Sequence, residues 1–169
     1  MHASKHWFIA IPIALFLGQG ATAPRADDAP GVPFPDAYRS WQLVKSIVIG
    51  PESAFFSKRG GIHHYYGNAA AISGYQTGVF PAGSVIVDEA VLAKEGEGPA
   101  KGILMEEGRR FLEVMQKYEG KYPETGGWRF QRFEGQDQVG QLTADDQINC
   151  SGCHENAKDH DHVFSRIRP

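Results

Sequence analysis

Ser84-Val85-Ile86-Val87-Asp88-Glu89-Ala90-Val91-Leu92 is the most strand-like stretch of the chain, and the fold is read outward from it. β-Branched residues dominate it, the turn Pro81-Ala82-Gly83 precedes it, and a glycine-rich piece at 95–99 follows. Toward the C-terminus, residues 102–106 read as a strand, Glu107-Gly108 as a tight turn, and residues 110–117 as the returning strand. Residues 121–127 form a turn region. Trp128-Arg129-Phe130-Gln131-Arg132-Phe133 then alternates aromatic with polar side chains, the pattern of a half-buried antiparallel strand. Toward the N-terminus, Ile62-His63-His64-Tyr65-Tyr66 suits a strand. Asn68 caps a helix over 69–75, and Thr77-Gly78 makes a turn. Residues 52–61 read as a loop carrying Phe55-Phe56, and Ile47-Val48-Ile49 as the start of a strand ended by Gly50-Pro51. Asp36 can cap a helix over 37–45, in which Tyr38, Trp41 and Val44 recur at helical spacing. Residues 135–142 are irregular, and a last helical turn or two is expected over 159–166. No repeat is visible. Strands with short helices at both ends give an α+β fold, an antiparallel β-sheet core with short flanking helices.

The chemistry sits near the C-terminus, in Cys150-Ser151-Gly152-Cys153-His154. Thr143 with Asp146 forms a capping box for a helix through it. Cys-x-x-Cys-His is the attachment sequence of a c-type haem. Two sulfurs three residues apart on a helical turn face the same way and can reach the two vinyl groups on one edge of the macrocycle. The following histidine then brings its imidazole under the iron, so Cys150, Cys153 and His154 bind the cofactor and His154 is the metal ligand. A thioredoxin-like pair would need a βαβ context, which is lacking here. A four-ligand zinc site would need more cysteines, and these are the only two in the chain. A structural disulfide is the remaining alternative. One covalently bound haem c is the expectation.

The length, 169 residues, is that of one domain. A net charge of -3 gives no nucleic-acid footprint. Lys5 and His6 precede an apolar run from Trp7 to Leu17 and the small-residue stretch Gly18-Gln19-Gly20-Ala21-Thr22-Ala23. That is the layout of a secretory signal peptide over 1–23, with an apolar run too short to span a bilayer. Residues 24–35 carry four prolines and read as a linker or extended arm. The domain proper is 36–169. Export agrees with haem attachment outside the cytoplasm, so a periplasmic protein, with no membrane association after cleavage, is expected.

Taken in order, Phe34-Pro35-x-x-Tyr38-Arg39-x-Trp41, Ile62-His63-His64-x-Tyr66-x-Asn68 and Gly74-Tyr75-x-Thr77-Gly78-x-Phe80-Pro81-x-Gly83-Ser84-Val85-Ile86-Val87 form a distinctive series. Tyr122-Pro123-x-Thr125-Gly126-Gly127-Trp128-x-Phe130, the Cys150 motif and Asp161-x-Val163-Phe164-Ser165 complete it. With these blocks the chain resembles the cytochrome P460 family, which comprises the cytochromes P460 and the cytochromes c′-beta. The resemblance implies a mainly antiparallel sheet, a homodimer, and a five-coordinate haem c with His154 below and an open distal face. It implies hydroxylamine oxidation where a lysine is joined to the macrocycle, and nitric oxide binding in an apolar pocket where it is not. The position of that lysine falls on Asp88. Lys94 is ~20 Å further along a strand, and Lys101 lies beyond a glycine-rich connection, so no cross-link is expected.

Distal candidates follow. Asp88, if it faces the haem, is an acid beside the iron site able to donate or accept a proton; alternation alone does not fix its face. His63 falls where the family places a distal arginine, and alternation pairs it with Tyr65, and His64 with Tyr66. Glu113 is a further acid, with solvation as its alternative. Phe55 and Phe56 are candidates for the apolar wall that keeps the site dry. Arg39, Arg59, Arg129 and Arg132 are available to haem propionates. Asp159-His160-Asp161-His162 resembles a metal cluster but lacks a defined ligand geometry. The leading expectation is an open iron site for small nitrogen ligands such as nitric oxide. A hydroxylamine-oxidising enzyme is the alternative, and an electron carrier whose sixth position is closed by His63, His64 or Met115 is a third. The sequence does not identify a redox partner.

Overall fold

The computed structural model describes residues 31–168; the expected signal peptide and most of the proline-rich arm lie outside the described residues. Five strands form one antiparallel sheet: β1 (Gln42–Ile49), β2 (Gly61–Gly67), β3 (Val85–Glu95), β4 (Leu104–Lys117) and β5 (Trp128–Glu134). Their order in the sheet is their order in the chain, as short connections favour. Three short helices flank it: α1 (Phe56–Arg59), α2 (Ala69–Thr77) and α3 (Ala144–His154). The fold is α+β. No helix among the described residues is long and apolar enough to cross a membrane.

Both faces of the sheet are covered. On one, Val44, Ala71, Phe80, Met115, Trp128 and Val163 pack with α2 and the C-terminal segment. Trp128 is fully buried, and its indole Nε1 donates to the Asp161 carbonyl at 2.9 Å. On the other, Val32, Tyr38, Val87, Leu112, Val114 and Phe133 form a second core under the N-terminal segment. The end of the proline-rich arm therefore lies against the sheet, with Val32 buried there.

Local signals act as expected at several points. The Asn68 side chain accepts from the Ala71 amide at the start of α2, and Gly78 closes that helix at φ 82, where a side chain would be strained. Thr143 and Asp146 form a reciprocal capping box on α3.

Elsewhere the structure corrects the expectation. Residues 37–45 are not a helix: a 3-10 turn spans Tyr38–Ser40, and β1 begins at Gln42. The apparent stripe is split, because Tyr38 and Trp41 serve the second core while Val44 serves the first. Pairing with β2 overrides helical spacing. The turn expected at Glu107-Gly108 is a bulge inside the continuous β4: Leu92 pairs with Gly108 and Ala93 with Glu106, skipping Glu107. Gly108 accommodates this at φ 141. The true connection lies at 96–103, where the Gly96 amide donates to the Ile103 carbonyl. The loop over 52–61 contains the four-residue α1. The last helical turns come earlier than expected, as a 3-10 segment over Glu155–His160.

Candidate functional site

Sheet register builds the site. Tyr65 pairs with Asp88, Asp88 with Glu113, and Glu113 with Arg132, so four adjacent strands place one row of side chains on the same face. Two carboxylates directly opposed on neighbouring strands repel. Arg59, the last residue of α1, resolves this by donating Nη2 to Asp88 Oδ2 at 2.6 Å and Nη1 to Glu113 Oε2. Arg132 donates Nη1 to Glu113 Oε1 at 2.8 Å and lies 3.8 Å over the Phe111 ring. Burial works against the Arg59 charge, but Glu113 and Asp88 more than offset it and hold its pKa above the ordinary value. Burial, with the Asp88 charge second, pushes the Tyr65 phenol up, so it stays a neutral donor.

Tyr65, Asp88 and Glu113 of this row, with Arg59, form part of the wall of a cavity of about 560 Å³, within the range of cofactor pockets. Ile86, Met115, Phe130, Leu142 and Val163 make much of its lining apolar. On α3, Cys150, Cys153 and His154 also line it. Both cysteines are free thiols, and burial pushes Cys150 up to about 11. The chain doubles back after α3 through left-handed residues Asp161 and His162, and the His162 carbonyl accepts from His154 Nδ1 at 2.7 Å. A carbonyl only accepts, so the proton is on Nδ1 and Nε2 keeps its lone pair. Burial lowers the His154 pKa, favouring that neutral form. Phe130 and Phe164 clamp the ring, with centroids 4.8 and 5.0 Å away. A neutral imidazole whose orientation is set by a backbone acceptor is a ready metal ligand.

Free thiols three residues apart, an imidazole with an available Nε2 and an apolar cavity beside them define a c-type haem pocket on an antiparallel sheet. The chain belongs to the Cytochrome P460 family, whose profile matches residues 35–165. No curated protein gives a significant match. The family implies a haem c cofactor, and the donor set fits it: His154 would hold the iron, with Cys150 and Cys153 at the edge of the macrocycle.

The structure brings Asp88, Glu113 and Phe55 to the cavity. Glu113 is more engaged than the solvated alternative assumed, because two arginines hold it. His63 does not line the cavity; it is fully buried in the neighbouring row of the same sheet face, bonded to Asp88. Phe56 does not line it either, and packs back on Gly60. His64 faces the other side, bonded to Ser46 and Glu106. Of the propionate candidates, Arg39 pairs with Glu89 on the far face, Arg129 stacks on Tyr122, and Arg132 pairs with Glu113 and Glu134 outside the lining, which leaves Arg59 in the wall. Asp159, His160, Asp161 and His162 do not converge: Asp161 binds Lys117 and the Phe80 amide, and His160 bonds the Val163 carbonyl. Among the described residues no group of three or more such side chains is placed to hold a metal. Lys94 pairs with Glu107 away from the site, and no lysine lines the cavity among the described residues. Sequence reasoning missed Arg59 as the bridge and Tyr65 as a wall residue. The alternation that grouped Tyr65 with His63 was the available signal for Tyr65; nothing local marked Arg59, because the residues it pairs with are 29 and 54 positions away.

Proposed function

We propose that this chain is an exported, periplasmic monohaem cytochrome, with haem c joined through Cys150 and Cys153, that binds small nitrogen ligands such as nitric oxide and forms a homodimer. Haem held by Cys150, Cys153 and His154 would supply an iron atom able to take up the ligand. The observation that carries the reading is the Asp88–Arg59–Glu113 bridge in an otherwise apolar cavity shared with His154. His154 orients through the His162 carbonyl. Phe55 and the apolar wall limit water, which favours neutral diatomics. Tyr65 and Arg59 are hydrogen-bond donors, and Asp88 and Glu113 hold or accept protons beside the bound ligand. The lysine position of the family is Asp88 here, and Lys45, which shares the row by pairing with Tyr65, is not among the lining residues. No lysine–haem link is therefore proposed.

The pair of carboxylates favours a second reading, hydroxylamine oxidation, in which Asp88 or Glu113 takes the protons released. An electron carrier is left with fewer candidate sixth ligands. Both nitrogens of His63 are engaged and His64 is on the opposite face, which leaves Met115, at the cavity wall, as the one of the three still able to close the sixth position.

Absorption spectra and intact mass of protein made in a host that matures c-type haem test the reading. It predicts a mass of mature chain plus one haem, a high-spin ferrous form, and nitric oxide uptake. A low-spin ferrous spectrum with no uptake would refute the binding reading. Sustained hydroxylamine turnover would transfer the assignment to the enzyme.

A further inference from the structure

His63 on β2 is fully buried (0% exposed) and does not line the cavity beside His154, yet both ring nitrogens are committed. Nδ1 lies 2.8 Å from Asp88 Oδ1, and Nε2 lies 2.6 Å from the Arg59 carbonyl oxygen. A carbonyl and an ionised carboxylate only accept, so both bonds exist together only when both nitrogens carry protons. We propose that His63 is the positioning residue of the site: as an imidazolium it ties the Asp88 carboxylate to the main chain of α1, aiming Asp88 and holding residues 55–59 at the cavity wall.

The helix needs such a tie. α1 is four residues long and buries none of them, so apolar packing does not hold it. Its restraints are polar: Arg59 to Asp88 and Glu113, His63 to the Arg59 carbonyl, and Arg110 to the Ser57 and Gly60 carbonyls at 3.0 and 2.8 Å. Of these, the His63 tie is the one a single proton can reverse. Without that proton a lone pair faces either the Asp88 carboxylate or the Arg59 carbonyl across less than 3 Å, and contact becomes repulsion.

The charged and titratable groups facing His63 come from all sides. Its own row across the sheet is Ile47, Ala90, Phe111 and Glu134; the adjacent row on the same face carries Tyr65, Asp88, Glu113 and Arg132, α1 adds the Arg59 guanidinium, and Arg110 reaches the Ser57 and Gly60 carbonyls. Phe111 packs edge-on at 5.9 Å. Burial alone would drive the proton off, but the Asp88 hydrogen bond and charge, with the Arg59 carbonyl, outweigh it and set the pKa above the ordinary histidine value. The unfolded chain releases this proton near ~6.5 and the folded chain later. The tie is therefore complete below that pH and is lost as pH rises through the folded value.

The inference rests on the cavity being the ligand site, but its test does not use ligand. Hydrogen exchange of the haem-loaded full chain is followed at the Lys58, Arg59 and Gly60 amides, which donate to Phe55 and Phe56. Rates are corrected for intrinsic base catalysis, and α2 serves as the control. Between about pH 6 and about pH 9.5, protection of these amides should fall about tenfold more than that of α2. His63→Gln keeps a donor for the Arg59 carbonyl without titrating, so its profile should be flat. Asp88→Asn removes the charge that holds the proton, so its transition should move to lower pH. A wild-type profile parallel to α2, or a His63→Gln profile like the wild type, would overturn the proposal. If His63→Gln does not fold, the wild type and Asp88→Asn decide. Normal nitric oxide uptake with flat exchange would remove this inference alone; the expected exchange without uptake would remove the functional reading alone.

Discussion

Asp88 and Glu89 are consecutive residues of β3, both buried carboxylates, and they face opposite sides of the sheet. Each meets an arginine, Arg59 for Asp88 and Arg39 for Glu89. The surroundings differ. Glu89 is sealed: the Tyr38 hydroxyl donates to it at 2.7 Å, Arg39 covers it from solvent, and it does not line the cavity that Asp88 borders. Asp88 shares its arginine with a second carboxylate, has a histidine behind it, and borders a cavity that also contains His154. Equal burial therefore separates two roles. A carboxylate whose partners close over it fixes packing; one whose partners leave a void in front of it can act on a ligand.

The largest effect on stability should come from the sealed side. Glu89→Ala leaves the buried Tyr38 hydroxyl without its acceptor, while Arg39, mostly exposed, returns to water. The expected loss is about 2–3 kcal/mol in denaturant unfolding, from one unsatisfied buried polar group and lost packing. The haem absorption spectrum should not change. A shifted spectrum would show that the two faces are coupled through β3 and would break the comparison.

Next is Arg59→Leu on the open side. It leaves Asp88 and Glu113 opposed without their bridge, although His63 and Arg132 remain. A loss of about 1–2 kcal/mol is expected near neutral pH, since Arg59 is partly exposed and the pair is screened. Its salt dependence is distinctive. The penalty is repulsion between two carboxylates, so it should shrink as ionic strength rises. A penalty independent of salt would mean that Arg59 acts through packing instead.

How far these roles were readable before folding depends on the distance each signal spans. The thiols, His154 and the Thr143–Asp146 cap lie within twelve residues of sequence, and spacing alone carries them. The alternation in 128–133 and the β-branched run at 84–92 likewise reveal strands of the sheet. Arg59 could not be recognised that way, because its role exists only once α1 is brought against β3 and β4. The face of Asp88 was equally hidden: a period of two says that neighbours diverge, not which one meets the cavity. Tyr38, Trp41 and Val44 misled for the same reason. Their spacing suits a helix, but Tyr38 and Trp41 precede β1 and Val44 sits at the register shift between Leu43 and Lys45, so they reach different cores.

The smallest stability effect and the clearest functional one should coincide at Phe55, which lines the cavity yet is 67% exposed. Its ring has little apolar burial to lose, so Phe55→Ala should change unfolding free energy by no more than about 0.5 kcal/mol. At the cavity wall, however, the ring narrows access and excludes water. Nitric oxide uptake by the ferrous protein, followed by stopped flow, should then be faster in the variant, while α2 and α3 keep their hydrogen-exchange protection. An unchanged rate would place the entrance elsewhere on the wall. A large stability loss would show instead that the segment before α1 is held by this ring, contrary to the polar restraints seen there.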